Sequence, residues 1–336
     1  MSVFIVPPDL SRVTPTLREP IVDGLFRRGE VVNWIASPKV GKTWMLYTLL
    51  LAVCTGAPWL GRKVKKGRVL LIDNELHPET GIQRLQKVAR GVGADLEAVD
   101  RQMRVAWLRG VSAGFEEIEE AIRSEGKGAF DLIALDAFYR FIPKGTDENA
   151  NGDMVQIYNH LDRIAAAAGA SIINVHHASK GDQSQKGTTD VGSGAGAISR
   201  AVDTHIVYLR HAEEGCVTMR AVCRSFPPPD PVVLRVAPPT VTLEEELDPA
   251  DLWTPRKARQ DPRPIGAAEF VETFIDGTAG KVETISRATS HGIPRDRARA
   301  LLVEATALGM VETVLEPQPG AGRPKQVLRP RNRGGN

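Results

Sequence analysis

Gly41-Lys42-Thr43 lies between an apolar, β-prone run over residues 31–36 (VVNWIA) and an apolar helical run over residues 44–54. Strand, glycine-containing loop, GK[ST] and helix form the P-loop pattern, whose chemistry is anion binding. Backbone N–H groups of the loop Ser37-Pro38-Lys39-Val40-Gly41 and of the first helical turn converge on a phosphate, and the helix dipole adds positive potential. In that pattern Lys42 reaches the β- and γ-phosphates and the Thr43 hydroxyl ligates Mg²⁺. Ala36 stands where the full pattern has its first glycine, which would strain the loop if a positive φ were needed there. Pro38 favours a fixed loop.

Three further places carry chemistry. Residues 131–136 (DLIALD) read as an apolar strand ending in Asp136, the arrangement that holds a Mg²⁺-bound water beside a P-loop. Ala137 follows, so no glutamate stands next to Asp136. Glu75 instead follows the strand of residues 68–73 (RVLLID), and a carboxylate there can orient and deprotonate water. Its other reading is a surface or helix-capping carboxylate, and Asp73 is the next candidate base. His176-His177 ends a fifth apolar strand beginning at residue 171. Two histidines in succession at that sheet edge favour a polar site, although a strand-end histidine commonly has only a structural role.

Positioning these groups requires parallel strands with a common carboxyl edge. Strand-like runs at 31–36, 68–73, 103–108, 131–136 and 171–175 alternate with helical runs at 44–54, 80–90, 115–124 and 153–168, which predicts an α/β domain with a mostly parallel central sheet. After residue 204 three strand-like runs are separated only by turns, so the sheet should finish antiparallel. The chain has 336 residues, 42% of them hydrophobic, and a net charge of +2, enough for a sizeable core and two domains. No secretory pattern opens it, and its longest apolar run is far below the about 18 residues of a membrane span. Cys54, Cys216 and Cys223 form no CxxC pair and read as reduced core thiols of a cytoplasmic protein.

The combination ASPKVGKT, LDAFYRF and IINVHHASKG, with the base on the strand after the P-loop, resembles the RepA-type hexameric replicative helicases, RecA/DnaB-like P-loop ATPases. The likeness covers roughly residues 25–236. It implies a RecA-like ATPase core, ATP and Mg²⁺ as cofactors, a hexameric ring and single-stranded DNA as partner. By the same resemblance His177, with His176 beside it, matches a γ-phosphate sensor. Arg200 matches an arginine that reaches the neighbouring subunit's ATP, and Arg224 a second basic position near that interface. Read from the residues alone, Arg200 could instead pair with Asp203, its i,i+3 neighbour. The Gly/Ser/Thr-rich segment 180–196 reads as a loop near the catalytic edge, in which Lys180 and Lys186 contact phosphates or are simply solvated.

Residues 1–20 read as an N-terminal arm, 21–245 as the ATPase domain and 246–264 as a Pro-rich linker. Residues 265–330 show three helical runs and two strands around a Gly/Pro/Arg-rich loop, resembling a small winged-helix domain of α+β type. Residues 252–336 hold 14 Lys and Arg against 9 Asp and Glu, while residues 1–251 hold 29 against 32. Arg295, Arg297 and Arg299 at the start of the third helix, with Arg323 and Lys325 in the wing, are candidate contacts to duplex DNA. A protein-interaction module with a solvated basic face is the other reading. Together these features predict an ATP-hydrolysing DNA motor. The alternative is a non-translocating RecA-like ATPase acting as a DNA-bound switch or loader. A small-molecule kinase would need neither the basic C-terminal domain nor an arginine reaching another subunit.

Overall fold

The computed structural model describes residues 14, 16–111, 113–143, 146, 150–178, 186–191, 195–254, 265–316 and 325–331, with backbone alone at 151 and 195–197. Most of the expected arm, residues 179–185 of the loop with Lys180, the stretch 255–264 and Arg323 lie outside these. The chain divides into two compact units, Met1–Thr254 and Pro255–Asn336.

In chain order the first unit contains β1 (Pro20–Val22), β2 (Phe26–Arg27), β3 (Val31–Ala36), α1 (Lys42–Thr55), β4 (Val69–Asp73), α2 (Pro78–Gly91), α3 (Leu96–Gln102), β5 (Met103–Trp107), α4 (Phe115–Ser124) and β6 (Leu132–Asp136). A 3-10 turn at Phe138–Arg140 leads to α5 (Asn151–Ala168) and β7 (Ser171–His177). Another 3-10 turn at Thr188–Asp190 precedes α6 (Ala195–Ala201), and then come β8 (Thr204–Arg210), β9 (Cys216–Cys223), β10 (Val232–Ala237) and β11 (Thr240–Leu243).

Among the described residues β3 to β11 form one sheet in the order β11-β10-β9-β8-β3-β7-β6-β4-β5. The six strands from β8 to β5 in that order run parallel, and β9, β10 and β11 close it antiparallel. This is an α/β core with a mostly parallel sheet, β7 lying between the P-loop strand β3 and the Asp136 strand β6. The register aligns Ala36 with His177 and Asp73 with Asp136. Four strand ends that carry the candidate chemistry therefore share one edge, at the crevice where chain connections diverge.

The strands are nearly continuous apolar runs because helices cover both faces. One core packs α1, α2 and α3 against Val32, Trp34, Leu71, Ala134 and Val175. The other packs α4, α5 and α6 against Val31, Ile72, Ile133, Leu135 and Ile172. Helix α1 is apolar all round and buried from Met45 to Cys54, as expected of a helix enclosed on every side.

The sequence reading omitted β1, β2, α3 and β11. Helix α3 is only seven residues long, and its one local signal is Asp95, whose side chain caps the helix by accepting from Glu97 N at 3.0 Å. The expected linker also begins later than residue 246. Trp253 N donates to Arg210 O at 2.9 Å, Ala212 N to Asp251 O at 2.8 Å, and Thr218 Oγ1 to Pro249 O at 3.2 Å, which fastens residues 249–253 to β8 and β9. No helix among the described residues is long and apolar enough to cross a membrane.

The second unit contains α7 (Ala267–Phe274), α8 (Lys281–Ser290), α9 (Arg295–Ala307), β12 (Val311–Glu316) and β13 (Lys325–Pro330), the two strands pairing antiparallel. Phe270, Phe274, Ile285, Leu301, Leu302 and Leu328 form its own core.

Gly81 shows how closely α2 lies on the sheet. A Cβ there would stand 2.0 Å from the Trp107 ring on β5. Alanine is the better helix former by about 1 kcal/mol, but overpacking costs about 1–3 kcal/mol. Gly81→Ala should therefore lower the urea midpoint. A rise in the midpoint would mean that α2 does not approach Trp107 this closely.

Candidate nucleotide site

The cradle starts where β3 ends. Ala36 is still extended strand, paired with His177 and Tyr208, so the missing first glycine strains nothing. The positive φ values fall at Lys39 (63°) and Gly41 (90°). Gly41 also has a steric role, since a Cβ there would lie 2.4 Å from Val236 Cγ1 on β10. Gly41 caps α1, placing Lys42 and Thr43 in the first helical turn with their N–H groups unspent inside the helix.

Lys42 is 7% exposed and Asp136 1%. Lys42 Nζ stands 3.8 Å from Asp136 Oδ1 and 3.4 Å from His177 Nε2. Thr43 Oγ1 donates to Asp136 Oδ2 at 3.2 Å. Glu75 Oε1 lies 3.3 Å from the same His177 Nε2. Lys42, Thr43, Glu75, Asp136 and His177, named from five separate stretches of sequence, are thus one constellation. The single Nε2 atom serves one neighbour at a time. Protonated, it donates to Glu75; unprotonated, it accepts from Lys42.

The electrostatics follow from burial. Asp136 is pushed up to about 6 by desolvation, only partly offset by Lys42, with Asp73 and Glu75 adding to the rise. Glu75 is held below the ordinary carboxylate range, first by its hydrogen bond to His177 and also by Lys42. Asp136 Oδ1 is buried without a hydrogen-bond partner among the described residues. An anionic oxygen beside a hydroxyl at the mouth of a phosphate cradle fits a hard divalent cation such as Mg²⁺, which takes one or two carboxylates and completes its shell with phosphate and water.

Other expected site residues are placed elsewhere. His176 points to the opposite sheet face, as strand alternation requires. Its Nε2 is 3.0 Å from Tyr158 OH on α5, its ring packs 4.6 Å from Phe138, and burial lowers it to about 3. It is a neutral, half-buried residue packed on Tyr158 and Phe138, on the sheet face opposite to His177. Asp73, the fallback base, is wholly buried with both oxygens bonded, so it offers no oxygen to water.

Arg200 ends α6 and is exposed. Asp203 N donates to Val31 O at 3.0 Å, so this turn sits at the start of β3, about 20 Å of strand away from the cradle. Asp203 pairs with Arg224 at 3.2 Å, and Arg224 also donates to Arg200 O at 2.9 Å. Neither arginine reaches this chain's own nucleotide site. Lys186 precedes the Thr188–Asp190 turn and has a contact of its own within the chain.

Sequence reading missed Arg210. It is exposed at the end of β8, donates to Pro38 O at 3.4 Å in the cradle loop, and its guanidinium lies 5.6 Å from the Trp253 ring centroid. The available signal was a cation closing the apolar run HIVYL.

In the second unit Arg297 donates to Ile265 O at 3.2 Å, and Lys325 stands 3.7 Å from Glu283. Arg295 and Arg299 are half-buried with contacts of their own. Of the candidate DNA-contacting groups, Arg297 and Lys325 thus have partners within the unit.

The raised Asp136 has a consequence for the protein without nucleotide. The folded state holds a proton there more tightly than the unfolded chain, so stability contributed by this group is present below about pH 4. That stability is lost as pH rises through about 6. Asp136→Asn should flatten the stability profile across this window, checked by thermal melts at a series of pH values. An unchanged slope would place the titration elsewhere.

Residues 4–183 match the AAA domain family. A solved structure described as the RadB recombinase aligns over 65% of this chain and 92% of its own, at 17% identity and a TM-score of 0.44. The family match spans more than half of the 336 residues and contains Lys42, Thr43, Glu75, Asp136 and His177. The chain belongs to the AAA domain family and is a P-loop ATPase.

Proposed function

We propose that this protein is an ATP-driven DNA motor, a hexameric helicase of RepA type that takes single-stranded DNA through a ring of ATPase units. The observation that carries the reading is the convergence of Lys42, Thr43, Asp136, Glu75 and His177 at one sheet edge, with the candidate base on β4 rather than after Asp136. Lys42 holds the β- and γ-phosphates. Mg²⁺, held by Thr43 and Asp136, supplies charge neutralisation on the phosphate oxygens when bound. Glu75 orients the attacking water and takes its proton. As phosphate draws Lys42 away, His177 Nε2 is left to Glu75, so the histidine reports the occupied site to the base.

Arg200, exposed and remote from this chain's own cradle, serves the ATP of a neighbouring copy. Arg200→Ala should lower kcat by about 10³-fold with little change in ATP affinity. Mixing it with Glu75→Gln subunits should restore activity, because mixed rings regain sites with both groups intact. No rescue under conditions of subunit exchange assigns Arg200 a structural role. Light scattering with and without ATP tests the ring itself. A monomer or dimer supports the non-translocating switch or loader instead.

The second unit, read as a winged helix, binds duplex DNA. The excess of 14 basic over 9 acidic residues across 252–336 supports this. Binding of the full chain to labelled duplex should weaken with salt, with a log–log slope of about −0.9 per neutralised phosphate. Replacing Arg295, Arg297 and Arg299 together should flatten that slope. Salt-independent binding, or none, points to a protein partner for this unit.

A further inference from the structure

The turn that carries Glu75 is built on one buried carboxylate. Asp73 is the last residue of β4 and 0% exposed. Its Oδ1 accepts from Glu75 N at 2.9 Å and from Leu76 N at 2.8 Å, shaping the chain as it leaves the sheet. Its Oδ2 accepts from Tyr47 OH at 3.3 Å. Tyr47 is itself fully buried, on α1. It stands four residues after Thr43 and so lies on the same face of that helix, one turn below. The helix that presents Lys42 and Thr43 to phosphate thus also holds the carboxylate that sets the Glu75 backbone.

The surroundings leave this turn little freedom. Leu108 N donates to Asp73 O at 2.7 Å, Asn74 N to Asp136 O at 2.8 Å, and Ala137 N to Asn74 Oδ1 at 3.0 Å. Arg109 Nη1 donates to Glu75 O at 2.6 Å. These bonds lock the β4, β5 and β6 ends to one another. Among the described residues, the bond from Tyr47 is the one direct hydrogen bond that ties the turn to the P-loop helix. A phenylalanine would fill the Tyr47 space, and a buried phenol facing a buried carboxylate is unfavourable unless the contact is made.

We propose that Tyr47 and Asp73 form a clamp that fixes the distance between the phosphate cradle and Glu75, making both of them positioning residues for the attack of water. The proposal rests on the reading of Glu75 as the water-activating carboxylate. A water held between a γ-phosphate and its base tolerates little displacement, and a shift of about 1 Å costs about 10²-fold in rate.

The test compares Asp73→Ala, Asp73→Asn and Tyr47→Phe, each alone and combined with Glu75→Gln, with Glu75→Gln by itself. Folding is followed by circular dichroism and ATP binding by a fluorescent nucleotide. Asp73→Ala should lose about 10²-fold in kcat while ATP affinity stays nearly unchanged. Asp73→Asn keeps an oxygen for the two N–H groups and should recover most of the rate, which a general base at that position could not do. Tyr47→Phe should lose about fivefold, the worth of one hydrogen bond. In the Glu75→Gln background both effects should vanish, because the clamp acts only through Glu75.

Losses that persist undiminished in that background overturn the clamp, as does a normal kcat in Asp73→Ala and Tyr47→Phe while Glu75→Gln is impaired. Normal hydrolysis by Glu75→Gln itself overturns the base assignment and the clamp with it. If Asp73→Ala fails to fold, Tyr47→Phe with and without Glu75→Gln decides the matter.

Discussion

A buried anion dominates this structure. Asp136 is 1% exposed at the end of an apolar strand, where an unpaired carboxylate is strongly disfavoured. Two groups make it tolerable, the Thr43 hydroxyl at 3.2 Å and the Lys42 ammonium at 3.8 Å, and both come from the first turn of α1. The P-loop helix and the β6 strand therefore have to meet at this point. The pairing is incomplete, since among the described residues Oδ1 has no hydrogen-bond partner, and burial pushes the group above the ordinary carboxylate range. A core built only for stability would have an apolar residue here. The polar arrangement is suited to a ligand that arrives with phosphate charge.

Beneath the site lies a second polar layer. Asn33 on β3 is in register with Asn174 on β7 and His205 on β8, all on the α5 and α6 face. Tyr158 OH donates to Asn33 Oδ1 at 2.7 Å, and Asn33 Nδ2 donates to Ile198 O at 3.3 Å. Burial lowers His176 to about 3 and His205 to about 4, so both are neutral at physiological pH. These two bonds of Asn33 favour one position of α5 and α6 over the sheet, because sliding either helix would leave the Asn33 amide or the Tyr158 phenol unpaired. His177, the next residue along β7, inherits that fixed backbone on the side of Lys42 and Glu75.

The second unit shows how charge composition and charge availability differ. Arg287 bonds Asp276 at 2.6 Å and Glu283 at 2.7 Å, Arg329 pairs with Glu316 at 2.5 Å, and Arg331 with Glu312 at 2.9 Å. These exposed pairs contribute little to stability, but they neutralise much of the described basic surface. The net positive charge still produces a long-range field, while the groups free to touch a phosphate are fewer than the composition suggests.

The sequence alone determined the P-loop, the parallel order of strands and helices, and the assignment of Asp136 and Glu75 to strand ends. Each depends on local chemistry: a GKT at a helix start, apolar runs of strand length, a carboxylate closing such a run. Even the opposite directions of His176 and His177 are implicit in the two-residue period of a strand. Only the tertiary structure decided which strand ends share an edge with the cradle, because strand order within the sheet is set by crossovers that leave no local trace. It placed Arg200 at the far end of β3 and Arg210 beside Pro38, and it gave Asp203 to Arg224 rather than to Arg200. It also made Asp73 a buried fixture of the Glu75 turn rather than a base. The physical reason is the same in each case: a side chain's role depends on burial and on partners brought from distant parts of the chain, and packing alone sets both.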